Sequence, residues 1–169
     1  MPFVDSHRAQ IHYSLEGPAN KPVLVFSNSL GTDFSMWDPQ IPESLQSFRV
    51  LRCDARGHGK SSVSEGPYSI EQLAKDVLAL ADSLKLDRFH FCGLSMGGMI
   101  GMWLAANAPE RLTKLALAST AAKIGTPEVW NTRIDTVRKQ GMHPVAAATM
   151  ERWFTPAFRQ QSPSTVARI

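Results

Sequence analysis

The stretch FHFCGLSMGGMI, residues 89–100, decides the fold of this chain. It begins with an apolar run typical of a short buried strand, passes through the pattern Gly-x-Ser-x-Gly, and continues into an apolar segment typical of a helix. A strand, a tight turn and a helix are the context in which a serine at the turn acts as a nucleophile. The bare pattern also arises by chance in glycine-bearing turns, but the strand before it and the helix after it favour the catalytic interpretation.

The residue types around Ser95 fit this chemistry. A serine hydroxyl is a poor nucleophile at neutral pH, so it has to project from a sharp turn toward a base. Gly93 and Gly97 leave room for such a turn. The helix that begins at Met96 directs its first N–H groups at the same point, so the Met96 amide is expected to help hold a developing oxyanion.

The composition is that of an ordinary globular protein. The chain has 169 residues, 43% hydrophobic and 20% charged, which predicts one domain, or one domain and a fragment. The 18 Lys and Arg residues are scattered and leave a formal net charge of +3, so no nucleic-acid partner is predicted. The first residues lack the apolar core of a signal peptide, and no apolar run reaches membrane-spanning length. We therefore expect a cytoplasmic protein without a membrane partner. Cys53 and Cys92 lie in apolar segments and are expected to be reduced, without metal or disulfide.

Apolar runs predict the remaining strands. Residues 3–6 and 10–15 alternate apolar and polar side chains, as antiparallel edge strands do, and His7 and His12 are expected at solvated positions there. Three further runs predict buried strands: residues 23–26, which are typical of a strand covered on both faces, and residues 48–53 and 112–119.

Helical patterns separate these strands. Ser69 and Gln72 form a capping-box pattern, and a stripe of apolar residues follows it as far as Leu84. Strands that alternate with helices in this way predict a parallel sheet. Past Thr120 only helical periodicity remains, as far as the last residue, Ile169.

Two polar loops follow predicted strands. Residues 27–33 come after the strand at 23–26, and the turn DARGHGKS, residues 54–61, comes after the strand at 48–53. Loops at the carboxyl ends of buried strands are where α/β sheets place ligand contacts. His58 in the second loop could act as a base, but a role in locking the turn is the favoured interpretation because the turn needs polar side chains.

With the nucleophile turn and both loops in this order, the chain resembles the α/β-hydrolase superfamily over nearly its whole length. Among its members, the chain is most similar to the 3-oxoadipate enol-lactonases. The stretches that carry the resemblance are residues 27–33, 36–40, 51–59, 90–98, 121–125 and 151–156. The resemblance implies the amino-terminal part of a mostly parallel sheet over residues 1–120 and the start of a helical cap over residues 121–169.

The resemblance also implies an activity. A cofactor-free enzyme of the β-ketoadipate pathway of aromatic degradation would open a small enol-lactone to 3-oxoadipate. Ser95 would attack the lactone carbonyl, and the backbone amides of Leu30 and Met96 would hold the oxyanion. The substrate carries a carboxylate, for which Arg133 is the candidate partner. Aromatic side chains of the helical segment, which include Trp130 and Trp153, would line the substrate pocket. Alternatively, they would pack the helices against one another.

The triad partners depart from the family pattern. Such enzymes place an acid and then a histidine after the serine, each following a separate strand. Asp135 and His143 satisfy the order but lie in one helical region, so we predict that they are not the triad partners. The acid and base are expected in a carboxyl-terminal segment or a companion chain that completes the sheet, and this chain alone is expected to be inactive. The strand at 112–119 would then be an open apolar edge.

Two other functions remain open at this point. One is a different small-substrate hydrolase, such as a carboxylesterase or a carbon–carbon bond hydrolase, because these enzymes share the same serine turn. The other is a non-catalytic module that uses the open sheet edge for interaction.

Overall fold

The computed structural model describes residues 2–167, which form two compact units that divide between Ala122 and Lys123. The first unit contains a six-stranded sheet and its helices. Its strands are β1 (Phe3–Ser6), β2 (Ala9–Glu16), β3 (Val23–Ser27), β4 (Arg49–Cys53), β5 (Phe89–Leu94) and β6 (Leu112–Ala118). Its helices are α1 (Ile41–Ser44), α2 (Ile70–Ser83) and α3 (Met96–Asn107), with 3-10 turns at Phe34–Gln40 and Pro109–Arg111.

The sheet has the order β1-β2-β4-β3-β5-β6. β1 pairs antiparallel with β2, and β2 with β4, while β3, β4, β5 and β6 run parallel. This arrangement confirms the predicted antiparallel strands at the start and the predicted parallel sheet after them. The loops that follow β3, β4 and β5 therefore leave the same edge of the sheet.

The core forms where the parallel strands meet the helices. Val25, Leu51 and Phe91 of the central strands are at most 1% exposed, as are Leu80 of α2 and Leu104 of α3. Complete burial of such a side chain contributes about 1.5–3 kcal/mol relative to exposure. These contacts hold the strand ends, and hence the loops, in place.

The cap predicted for α2 is confirmed. Ser69 has an extended backbone just before the helix, and its Oγ accepts a hydrogen bond from the Gln72 amide at 3.1 Å. The apolar stripe faces the core, with Leu73 and Val77 buried. Asp76 lies between them and is also buried, which the periodicity of the helix did not predict.

The strand at 112–119 lies at the end of the sheet, as expected of the open apolar edge, whereas the prediction from its apolar run that it is buried is wrong. Within residues 2–167, β6 pairs only with β5 and ends the sheet. Leu117 is consequently 45% exposed, while Leu115 is half-buried and packs against the core. An apolar run has the same sequence signature whether one or both of its faces are covered.

The prediction that His12 is solvated is also wrong. β2 lies between β1 and β4, so it is not an edge strand, and His12 is 2% exposed. The Phe3 ring lies 5.2 Å from the His12 ring, measured between centroids, and His12 Nδ1 lies 2.7 Å from Asp54 Oδ2. His7 is exposed in the turn before β2, as predicted.

The second unit contains four helices in its described residues: α4 (Pro127–Gln140), α5 (His143–Trp153), α6 (Pro156–Gln161) and α7 (Pro163–Ala167). The Thr126 side chain caps α4 by accepting from the Val129 amide. Val145 and Thr149 are the buried residues of α5. Across residues 2–167, each helix is too short or too polar to cross a lipid bilayer.

Candidate active site

Ser95 occupies a strained turn between β5 and α3. Its backbone has φ +54° and ψ −112°, a conformation that residues with a side chain rarely adopt and that costs about 1–3 kcal/mol. Two contacts hold it there: the Ser95 amide donates to the Ala118 carbonyl at 3.0 Å, and Thr120 Oγ1 donates to the Ser95 carbonyl at 2.7 Å. The predicted strand, turn and helix are thus confirmed, and Thr120 is a supporting residue that sequence reasoning missed.

The glycines around Ser95 allow the close approach of backbone to backbone. A Cβ at Gly93 would collide with the Gly97 carbonyl, and a Cβ at Gly97 would collide with the Ser27 carbonyl. A Cβ at Gly98 would lie 2.5 Å from Thr120 Cγ2. Each position therefore requires glycine for space, although none of the three has a positive φ.

The loop after β3 is tied to this turn. The Gly97 amide donates to the Asn28 carbonyl at 3.0 Å. The Asn28 side chain bridges two further elements, because its Nδ2 donates to the Cys53 carbonyl at 3.0 Å and its Oδ1 accepts from Trp37 Nε1 at 3.0 Å. These bonds place the loop beside the first turn of α3.

Leu30 and Met96 present the N–H groups predicted to hold an oxyanion. Leu30 lies in the loop after β3, and Met96 is the first residue of α3. Among the described residues of the first unit, neither amide donates to a protein acceptor. An N–H group without a protein acceptor is what an oxyanion hole requires.

The turn after β4 is locked by its own side chains. The Asp54 carboxylate accepts from the Lys60 amide at 3.0 Å, and Ser61 Oγ donates to the Asp54 carbonyl at 2.7 Å. His58 Nδ1 lies 3.1 Å from the Arg56 carbonyl, a contact within the turn itself. These contacts agree with the structural interpretation of His58.

A buried ion pair braces this turn against α2. Arg56 donates through Nε to Asp76 Oδ2 at 2.7 Å, and Ser6 Oγ donates to Asp76 Oδ1 at 2.7 Å. The hydrogen bond that Arg56 donates to Asp76 raises the pKa of Arg56 above its ordinary value, so the guanidinium stays charged. Arg56 and Asp76 are 1% and 4% exposed, and removal of one partner of such a pair is costly because the other charge stays buried.

Cys53 is buried and Cys92 is half-buried, and both are free thiols. Burial raises the pKa of the Cys53 thiol to about 12, with Asp54 and Asp76 adding to the effect. Burial also raises the pKa of Cys92. Residues 2–167 contain no group of side chains suited to hold a metal ion.

The second unit contains the remaining predicted site residues. Trp130 and Trp153 are half-buried, and the Arg133 guanidinium lies over the Trp130 ring at 5.6 Å from its centroid. Burial lowers the pKa of Arg133, and the nearby Arg152 lowers it further. Asp135 in α4 and His143 at the start of α5 are exposed; no strand lies between them in this described segment.

Comparison with known proteins identifies the family. Residues 22–142, well over half of the chain, match the family described as alpha/beta hydrolase fold. The chain therefore belongs to the alpha/beta hydrolase family. The predicted resemblance and fold are confirmed by this match.

The relatives narrow the similarity to one group of these hydrolases. The chain is 46% identical to 3-oxoadipate enol-lactonase 2 of Acinetobacter baylyi, with 99% of this chain and 64% of the relative aligned. It is 42% identical to 3-oxoadipate enol-lactonase 1 of the same organism, with 85% of this chain and 54% of the relative aligned. The crystal structure of the enol-lactonase from Burkholderia xenovorans LB400 superposes with a TM-score of 0.96 at 49% identity, over 98% of this chain and 65% of that one. The chain thus spans less than two thirds of the length of these relatives.

Proposed function

We propose that this protein hydrolyses an enol-lactone, with 3-oxoadipate enol-lactone as substrate and 3-oxoadipate as product. The backbone of Ser95 is the observation that carries the proposal, because a nucleophilic serine requires a strained turn of this kind. The similarity to enol-lactonases supports the choice of substrate. The compartment we propose is the cytoplasm, and the proposed role is a step of the β-ketoadipate pathway of aromatic degradation.

The proposed reaction has two halves and uses no cofactor. Ser95 Oγ attacks the lactone carbonyl and gives its proton to a base, and the Leu30 and Met96 amides hold the oxyanion. Collapse of this intermediate breaks the ring ester bond and releases an enolate, which takes up a proton at carbon and becomes the ketone. Water then attacks the ester on Ser95 and frees the carboxylate product. Each oxyanion donor contributes roughly 3 kcal/mol to barrier lowering.

The base and its acid are proposed to lie outside residues 2–167. Two of the histidines in the first unit are engaged elsewhere: His12 with Asp54 and His58 with the Arg56 carbonyl. A carboxyl-terminal segment or a companion chain that extends the sheet beside β6 would supply both groups. Residues 2–167 alone are then expected to be inactive, because loss of triad members costs many orders of magnitude in rate.

Arg133 is the proposed partner of the substrate carboxylate, with Trp130 and Trp153 as aromatic contacts. Arg133 is half-buried, and no acidic side chain in the described residues of the second unit pairs with it. A partly buried cation without a counterion favours the approach of an anion. The 1–120 and 121–169 division into sheet core and helical cap belongs to the same proposal.

A substrate panel tests this function on the chain together with the proposed carboxyl-terminal segment or companion chain, which together are called the full-length protein below. We expect hydrolysis of the enol-lactone with kcat/KM of at least about 10⁴ M⁻¹s⁻¹, well above that for p-nitrophenyl acetate or a carbon–carbon bond substrate. Replacement Arg133→Met should raise KM for the enol-lactone about 10-fold or more, while Arg138→Met, an exposed arginine on the same helix, should not. Preference for the aryl ester would point to a carboxylesterase instead, and absence of turnover on every substrate would favour a non-catalytic module.

A further inference from the structure

A buried histidine–aspartate pair lies behind the loop that carries Leu30. His12 Nδ1 and Asp54 Oδ2 are 2.7 Å apart, and each residue is 2% exposed. The backbones of the two residues are also joined, since the Asp54 amide donates to the His12 carbonyl at 3.0 Å. Neither side chain takes part in the reaction steps described above.

The Asp54 carboxylate connects three elements. It receives the His12 ring from β2, the Lys60 amide from the turn after β4 at 3.0 Å, and the Phe34 amide from the end of the loop after β3 at 2.8 Å. A carboxylate is an acceptor only, so the His12 ring donates through Nδ1. His12 Nε2 is buried and has no hydrogen-bond partner within the described residues, which leaves the contact with Asp54 as the ring's hydrogen bond.

Aromatic packing fixes the same histidine. The His12 ring stacks on the Phe34 ring at a centroid distance of 5.0 Å, and Phe3 packs nearby at 5.2 Å. The Arg52 guanidinium also lies over the Phe34 ring, 4.8 Å from its centroid. Phe34 is thus held through its amide by Asp54 and through its ring by His12.

The loop that carries Leu30 therefore has two anchors. Asn28 holds its first end, through bonds to the Cys53 carbonyl and the Gly97 amide. Phe34 holds its other end, through Asp54. Between the two anchors lies Leu30, whose amide is left for the oxyanion.

We propose that His12 is a positioning residue: by donating to Asp54 it keeps that carboxylate aimed at the Phe34 amide and so fixes the loop that presents the Leu30 amide. The inference rests on the proposed hydrolytic function. A side chain that orients a supporting group in this way acts on the rate of reaction and not on substrate affinity, because the oxyanion forms only after the substrate is bound.

Two replacements of His12 separate this role from simple core packing. His12→Phe keeps a ring between Phe3 and Phe34 but removes the donor, whereas His12→Asn keeps a donor near the position of Nδ1 but removes the ring. Ser6→Ala is the matched control, because it removes a buried hydrogen bond of 2.7 Å to another carboxylate, Asp76, away from the loop. All variants are made in the full-length protein.

We expect the order of activity to oppose the order of stability. His12→Phe should lower kcat about 10- to 100-fold with KM within about 3-fold, as weakened oxyanion binding does. His12→Asn should have the lower Tm of the two but keep kcat within about 3-fold of the parent, and Ser6→Ala should keep the parent kcat. Equal kcat values for the two His12 variants, or a kcat that follows Tm, would overturn the positioning role.

Hydrogen exchange provides a readout that needs no lactone. The Thr32 and Phe34 amides, which donate to Ser29 and Asp54, should exchange about 10-fold faster in His12→Phe than in the parent, and at the parent rate in Ser6→Ala. If His12→Phe does not fold, hydrogen exchange of the Phe34 amide in the parent tests the contact with Asp54. Slow exchange of this amide supports the contact, and exchange at the rate of a free amide refutes it. A parent that hydrolyses no lactone would refute the proposed function, while the exchange pattern still decides the role of His12.

Discussion

Ser95 shows how a single residue can be held in a costly conformation. Its positive φ would be relaxed by glycine, yet the Ala118 carbonyl and the Thr120 hydroxyl both bond to its backbone and oppose relaxation. Strain of about 1–3 kcal/mol at such a turn persists only where neighbouring structure overdetermines it. The backbone at this turn consequently fixes the direction of the Ser95 Cα–Cβ bond.

Cys53 should be chemically inert while the protein is folded. Its pKa of about 12 leaves the thiol protonated at pH 8, and the residue is 6% exposed. Because the folded-state pKa lies above the unfolded one, this group stabilises the fold fully below the ordinary thiol pKa, and the contribution is lost as pH rises toward 12. Alkylation with iodoacetamide at pH 8, read by peptide mass, should leave Cys53 unmodified in buffer and modified in 8 M urea; equal modification in both would contradict its burial.

At the residue scale, local chemistry was predictable and long-range pairing was not. The turn at Ser95 follows from its flanking glycines, which act on neighbouring backbone. The burial of His12 depends on Asp54, which is 42 positions away, and on the place of its strand within the sheet. The alternation of apolar and polar residues along 10–15 contains no information about either the Asp54 contact or the place of the strand. His12 was therefore predicted at a solvated position, although it is buried.

The unit of β5, the serine turn and α3 is the element on which the site depends. Its bounds were predictable because each has a local cause: the glycine turn begins the helix, and Pro109 follows its end at Asn107. Helix α3 packs on the neighbouring loop through contacts between backbone atoms, and backbone atoms cannot move aside for an added side chain as a flexible side chain can. Small residues in α3 therefore differ in what they contribute.

Two glycine-to-alanine changes in α3 should separate these contributions. Gly97→Ala should destabilise the protein by at least about 3 kcal/mol, because its Cβ meets the rigid Ser27 backbone. Gly101→Ala should change the unfolding free energy by less than about 1 kcal/mol, since its Cβ meets side chains of Leu115 and Phe91 at 2.9–3.0 Å and alanine favours the helix. Urea denaturation measures both. Similar losses for the two variants would show that the backbone contact at Gly97 is not rigid.

At the scale of the whole molecule, the exposed strand β6 is the feature that sequence periodicity misjudged. The apolar run at residues 112–119 was correctly predicted as a strand. Its place at the end of the sheet was expected from the family resemblance and not from periodicity, because strand pairing is not a local property. The division into a sheet unit and a helical unit, by contrast, is visible in the change of periodicity after Thr120. Fold class was thus easier to predict than exposure.

An apolar edge strand should make the 169-residue chain self-associate. Leu117→Lys places a charge on β6 and should reduce association, because charges on an edge oppose strand pairing. Val129→Lys is the control, since Val129 is 61% exposed but lies on helix α4. Sedimentation velocity of the chain at several concentrations measures the effect. Equal sedimentation of both variants and the parent would show that β6 does not mediate association.

The central claim is that Ser95 is the nucleophile of an enol-lactone hydrolase. The most direct test is the hydrolysis of 3-oxoadipate enol-lactone by the full-length protein and by its Ser95→Ala variant, with folding of both checked by circular dichroism. We predict that the variant loses at least about 10⁴-fold in kcat and that a fluorophosphonate probe labels only the Ser95 peptide of the parent. Turnover by Ser95→Ala within about tenfold of the parent would contradict the account, because covalent catalysis at this turn would then be unnecessary.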